Sequence, residues 1–182
     1  MFNKPQVIPV NFSGIPLELK RIPRWVMWRF VEVGDADSKR WSKLPLQVNG
    51  QPASSNNPQT WTDFLNVEEA YTQNPDRFDG VGFVFDDTDN LIGIDLDDCY
   101  NHPSDGFINA AMQQLAQKIN GYMEISPSGT GVKIFTRANL TKAHVDHDKG
   151  LEIVGIDNNL REYFFGSDGS TLWNTKALKK DL

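Results

Sequence analysis

The chain has 182 residues, of which 39% are hydrophobic and 23% charged, with a net charge of -6; it is long enough to bury a core and has the composition of an ordinary globular protein. Its one cysteine, Cys99, excludes an internal disulfide and a thiolate zinc cluster and fits a reducing cytoplasm, and no stretch approaches the roughly 18 apolar residues of a membrane-spanning helix. The acidic balance argues against adhesion to nucleic acid over the whole surface but leaves room for a local basic groove.

The N-terminal MFNKPQVIPVNF lacks the charged-then-apolar layout of a signal peptide. Basic residues gather in LKRIPRW (19–25), SKRWSK (38–43) and KALKK (176–180). Trp25 and Trp41 give the first two the mix that suits single-stranded nucleic acid, while solvated strand ends and a basic tail are the alternative. WVMWRFVEV at 25–33, rich in aromatic and β-branched residues, predicts a strand, and KLPLQVNG at 43–50 a shorter one. A loop dense in Pro, Ser and Asn (51–59) leads to a helix over about 60–73, with Thr60 and Asp63 as its capping signal. GVGFVF (80–85) and LIGIDLDD (91–98) read as paired strands, and Ile108, Met112, Leu115 and Ile119 set a helix over 106–120. Two strands around a serine- and glycine-rich turn (122–138) and two more at 151–155 and 161–166 complete an α+β chain with a mainly antiparallel sheet.

Strand alternation puts Asp95 and Asp97 on one face of IDLD, roughly 6.5 Å apart, with Ile94 and Leu96 on the other. Such a pair, with a third acid, can bracket two cations; oxygen ligands favour Mg²⁺ or Mn²⁺ over zinc. Exposed strand-end acids are the alternative, but the apolar residues preceding the pair speak for a held site. Glu152, between Leu151 and Ile153, is a candidate third acid, with an ordinary outward-facing strand residue as the alternative, and Asp98 belongs to the opposite face. In SPSGTGVK, Gly129 and Gly131 allow close approach, Ser126, Ser128 and Thr130 add donors, and Lys133 brings a cation. The turn is either an anion-binding nest or a plain hairpin turn. HVDH (144–147) reads as a surface loop rather than a metal site, and Cys99 as a small buried residue.

The ordered set PRWVMWRF, KLPLQVNGQPASSNNPQTWTDF, DGVGFVF, LIGIDLDDC, YMEISPSGTGVKIF, GLEIV and REYFFG resembles the primase–polymerase domains of the archaeo-eukaryotic primase superfamily. Within it, the set is most similar to the type found at the N-terminus of phage and plasmid primase/helicase replication proteins. The resemblance covers residues 20–168, leaving 1–19 as an N-terminal extension and 169–182 as a tail of one catalytic domain. It implies an RRM-like core with a small N-terminal α/β unit, and metal-dependent nucleotidyl transfer by a DNA primase/polymerase in the cytoplasm. Asp95, Asp97 and Glu152 then hold Mg²⁺ or Mn²⁺. Lys43, Ser126, Ser128, Gly129, Gly131, Lys133 and Arg161 then bind nucleotide. The implied partners are a single-stranded DNA template, dNTP or NTP and a replicative helicase, with no membrane. Two positions depart from the family pattern: Lys133 stands at a usual His, and REYFFG replaces a strand with Arg followed by Thr-rich residues. A module that binds single-stranded DNA or nucleotide without catalysis is the alternative.

Overall fold

The computed structural model describes residues 3–35, 38–86, 88–101, 106–139 and 142–154, together with the backbone of 162–165. Their elements are, in chain order, α1 (Leu17–Lys20), β1 (Trp25–Val33), β2 (Arg40–Leu46), α2 (Phe64–Gln73), β3 (Gly80–Val84), β4 (Leu91–Leu96), β5 (Tyr100–Asn101), β6 (Gly106–Phe107), α3 (Ala110–Lys118), β7 (Tyr122–Ile125), β8 (Val132–Arg137), β9 (His144–Asp146), β10 (Leu151–Val154) and β11 (Glu162–Phe165). The fold is α+β, and every strand pairing is antiparallel.

One sheet runs β11-β3-β1-β2 and a second β7-β8-β4-β10-β9, with β5 and β6 as a small separate pair. In the first, β1 carries a buried stripe, Trp25 and Met27, that continues through Val81 and Phe83. Helix α2 closes this stripe with Phe64 and Val67, and the Trp25 and Phe64 rings meet edge to face at 5.0 Å. In the second sheet, Ile92, Ile94, Leu96, Val132, Ile134, Met123 and Ile125 form one apolar face, covered by Met112 and Ala116 of α3. Its opposite face contributes Leu91, Phe135, Tyr122 and Val154 to the core of the first sheet. Phe135 is the joint, 6.2 Å from the Phe83 ring and 5.5 Å from Phe85.

Several boundaries move from their predicted places. The second strand is earlier than 43–50, because Gln47 to Gly50 form a turn closed by Gly50 N donating to Gln47 O at 2.8 Å. The helix expected from residue 60 begins at Phe64. Thr60 is not its cap: the Thr60 hydroxyl donates to Asn57 O at 2.7 Å, and Leu65 of the helix is 72% exposed. The helix expected over 106–120 starts at Ala110, since Gly106 and Phe107 pair with Asn101 and Tyr100. Asn109 Oδ1 caps it by accepting from Ala111 N and Met112 N, and Ile108 is exposed. HVDH is an edge strand where a loop was expected, because His144 to Asp146 pair with Leu151 to Ile153.

Candidate active site

The strand that carries LIGIDL ends at Leu96, and the pairing of the second sheet fixes what its acids meet. Asp95 lies opposite Lys133 on β8 and Glu152 on β10, while Lys133 lies opposite Glu124 on β7. The four side chains therefore form one row across the sheet, Glu124, Lys133, Asp95, Glu152, on a single face. Next in register is the row Tyr122, Phe135, Gly93, Val154. Lys133 is buried, and its Nζ pairs with Asp95 Oδ2. Asp95 Oδ1 is buried without a hydrogen-bond partner.

Asp97 follows the strand and continues its pairing, its N–H donating to Gly150 O at 2.8 Å. Two glycines crowd its backbone. A Cβ on Gly131 would stand 2.7 Å from Leu96 O, and one on Gly150, whose φ is +61, would stand 3.0 Å from Asp97 O. Larger residues at either place would push the acid out of position. Asp97 is exposed in area but backed by protein, and lost solvation raises its pKa above the usual carboxylate range; Asp95, Asp98 and Glu152 add to the rise while Lys133 opposes it. Asp98, at φ 46, turns the chain away. An open cleft of about 450 Å³ lies here, lined by Asp97, Asp98, Glu152, His147 and Lys149 among others.

The serine–glycine turn sits beside this end. Ser126 N donates to Gly131 O at 2.8 Å and Gly129 N to Ser126 O at 2.9 Å. The hydroxyls of Ser126, Ser128 and Thr130 form a chain with spacings of 2.9 and 3.0 Å. Ser126 is buried, Ser128 and Thr130 are exposed, and Gly131 brings the turn against Asp97.

Lys43 arrives from the other sheet. It lies on β2 opposite Phe30, with Nζ 5.4 Å above the Trp28 ring. Burial lowers its pKa to about 8; Lys133 pushes the same way, and Asp95 and Asp97 pull back. The two sheets thus bring Lys43 within electrostatic reach of the acids. Arg161 lies outside the described residues.

Other predicted features serve structure. Trp25, one of the two aromatic residues in the basic clusters, is fully buried in the core; Lys20 of the same cluster covers the Phe64 ring at 4.7 Å, and Arg24 pairs with Asp89 at 2.6 Å. A buried strand position, not surface composition, decided the fate of that tryptophan. Trp41 is half-buried, 6.4 Å from Phe30, and the cluster at 176–180 lies outside the described residues. Cys99 is buried, its thiol donates to Leu96 O at 3.3 Å, and burial pushes its pKa to about 11. His144 is exposed on β9, and Asp146 pairs with Lys149 at 2.7 Å.

Sequence reasoning missed Glu124. It is an isolated Glu between Met123 and Ile125 on a strand, the same pattern that singled out Glu152.

No family model matches the chain. Over 141 residues, 74% of its length, it is 30% identical to the DNA primase-polymerase of Nitratiruptor phage NrS-1. The chain is similar to a phage primase-polymerase. It spans 18% of the length of that relative. A contiguous stretch of such extent, wherever it begins, takes in Asp95, Asp97 and the turn at 126–133.

The donors match a hard divalent ion in kind, since Asp95, Asp97 and Glu152 offer only oxygen. Asp95 Oδ1, buried and unsatisfied, is the atom a cation would serve. Among the described residues, however, no three His, Cys, Asp or Glu side chains are gathered into a ready ligand set. What neutralises Asp95 here is the Lys133 ammonium.

Proposed function

We propose that the chain is the catalytic domain of a DNA primase/polymerase, a template-dependent nucleotidyltransferase. It would add nucleotides to a 3′-OH, or join two nucleotides, on single-stranded DNA. The observation that carries this reading is the convergence of Asp95, Asp97, Glu152, Lys43 and Lys133, from both sheets, beside the serine–glycine turn. The similarity to a phage primase-polymerase supports it. On the same ground we assign the chain to phage or plasmid replication, with an RRM-like core and a replicative helicase as partner.

Asp95, Asp97 and Glu152 would hold two Mg²⁺ or Mn²⁺ ions. When bound, such ions neutralise a triphosphate and its leaving group and acidify an attacking hydroxyl. The protein's own part is placement. Hydroxyls of Ser126, Ser128 and Thr130 would donate to phosphate oxygens, while Gly129 and Gly131, whose own N–H groups bond within the turn, would let the backbone come close. Lys43, with a pKa of about 8, is still mostly an ammonium at neutral pH and attracts the triphosphate from the opposite wall. Lys133 adds charge as a point cation where an imidazole would add a titrating group. Arg161 is assigned to triphosphate or template.

One observation favours a second reading. The Lys133 ammonium already neutralises Asp95 without any added cation, which suits a module that binds single-stranded DNA or nucleotide without catalysis. Primer extension and de novo synthesis with dNTPs and rNTPs, in Mg²⁺ and in Mn²⁺, decide between the two. Incorporation by the wild type and none by Asp95→Ala/Asp97→Ala is the expected result. No incorporation under any condition, with DNA binding improved in the double variant, would establish the binding module instead.

A further inference from the structure

The charged row contains a group for which nucleotidyl transfer has no task. Glu124 is 1% exposed. Tyr122 Oη donates to its Oε2 at 2.7 Å, while Oε1 is buried with no hydrogen-bond partner. A buried carboxyl oxygen left unsatisfied is costly and calls for an explanation. Its neighbour across the strand pair is Lys133, whose ammonium is engaged on the other side with Asp95. Lys133 therefore stands between two carboxyl groups, one on each flanking strand, at the end of a flexible four-carbon stem. Directly opposed side chains on neighbouring strands have Cβ atoms roughly 4.5–5.5 Å apart. A change of side-chain rotamer is enough to carry the ammonium from one to the other.

We propose that Glu124 is a second seat for the Lys133 ammonium, taken up when a divalent cation claims Asp95. This rests on the reading of Asp95 as a metal ligand. A cation arriving at Asp95 displaces Lys133 from its partner. A displaced ammonium that stays within the buried row is held best by a second acid, and Glu124, directly opposite on β7 with one oxygen unsatisfied, is placed to be that acid. The Tyr122 hydroxyl holds its carboxyl group in place. Burial raises the Glu124 pKa to about 8, the Tyr122 hydrogen bond and Lys133 pull it down, and Asp95 pushes it up. The group is thus mostly neutral at pH 7 while Lys133 sits on Asp95, and it releases its proton to solvent as the ammonium approaches. Glu124 is a positioning residue; it acts through Lys133 and touches no substrate.

The test is titration of Mn²⁺ alone into the full chain, without nucleotide or DNA, followed by electron paramagnetic resonance of the free ion. Glu124→Gln is expected to weaken Mn²⁺ binding by about tenfold, the lower end of what supporting residues around metal ligands contribute. Tyr122→Phe, which keeps the ring, gives a smaller loss in the same direction and carries the test if Glu124→Gln does not fold. Lys133→Met tightens binding by removing the competitor, and in that background Glu124→Gln has no further effect. Unchanged affinity in folded Glu124→Gln or, failing that variant, in Tyr122→Phe overturns the proposal. So does a loss from Glu124→Gln that persists without Lys133, because that marks a merely structural role. A wild type that binds no Mn²⁺ overturns the metal reading itself, and this proposal with it.

Discussion

Across β7, β8, β4 and β10, the row Tyr122, Phe135, Gly93 and Val154 is uncharged, and its three side chains pack into the core shared with the other sheet. The next row in register, on the same face and the same hydrogen-bonded ladder, is Glu124, Lys133, Asp95 and Glu152. The backbone treats the two rows alike. What differs is the cover: the first lies under aromatic rings of the opposing sheet, and the second runs toward the open cleft. The comparison teaches that the acids owe their rigidity to the neighbouring apolar row, which anchors the strands from which they project.

Breaking the anchoring row has the largest expected effect. Phe135 is fully buried and touches the rings of Phe83, Phe85 and Tyr122. Phe135→Ala is expected to cost about 3–5 kcal/mol of stability, seen as a lowered urea midpoint. That is a large share of what a domain of this kind has to lose. Removing Asp97, the acid just past the end of β4 beside the charged row, spares the fold and, on the proposed function, strikes the chemistry. Asp97 is exposed, so Asp97→Asn should leave stability within about 0.5 kcal/mol. With Asp97 a metal ligand as proposed, nucleotide incorporation should fall by about 100-fold or more, because such a ligand supplies several kcal/mol of transition-state stabilisation. A variant that keeps its activity would remove Asp97 from the site.

A smaller effect separates the rows by pH. The folded Glu124 value of about 8 lies above the ordinary 4.5. Between those values the folded protein keeps a proton that the unfolded chain has released, so stability falls as pH rises. The contribution of Glu124 is fully present below about pH 4.5 and is lost as pH passes about 8. Its slope is bounded at about 1.4 kcal/mol per pH unit. Urea unfolding at pH 5.5 and 7.5 should show wild type losing stability relative to Glu124→Gln. Parallel behaviour of the two proteins would mean that the carboxyl is not buried as described.

The rows also mark what could be read from sequence. Strands β1, β4, β7 and β8 were legible because alternation and β-branched or aromatic content agree locally. The start of α3 was not, because Gly106 and Phe107 were claimed by pairing with Asn101 and Tyr100, and the Asn109 side chain set the first turn. The D-x-D pattern pointed to Asp95 and Asp97, and isolation between apolar neighbours pointed to Glu152. The same isolation applied to Glu124 and went unread. That Lys133 pairs with Asp95 is a matter of register, and so is the burial of Trp25; neither is visible within a single strand. The approach of Lys43 depends on how one sheet meets the other, which no local pattern encodes.

The smallest expected effect concerns Asp98, and it tests how sharply the acidic end of β4 is bounded. Asp98 directly follows Asp97, but it is exposed and adopts a left-handed conformation at φ 46. Asn tolerates that conformation as Asp does, so Asp98→Asn removes the charge without a backbone penalty. The change in stability should stay within about 0.5 kcal/mol. Asp98 also adds to the upward push on the Asp97 pKa, behind burial and Asp95, so removing it lets Asp97 ionise slightly more readily. Incorporation should therefore hold within about twofold of wild type or rise a little, against the steep loss for Asp97→Asn. A loss of similar size in both variants would mean that the two acids act together, and that the acidic site does not end where β4 gives way to the turn.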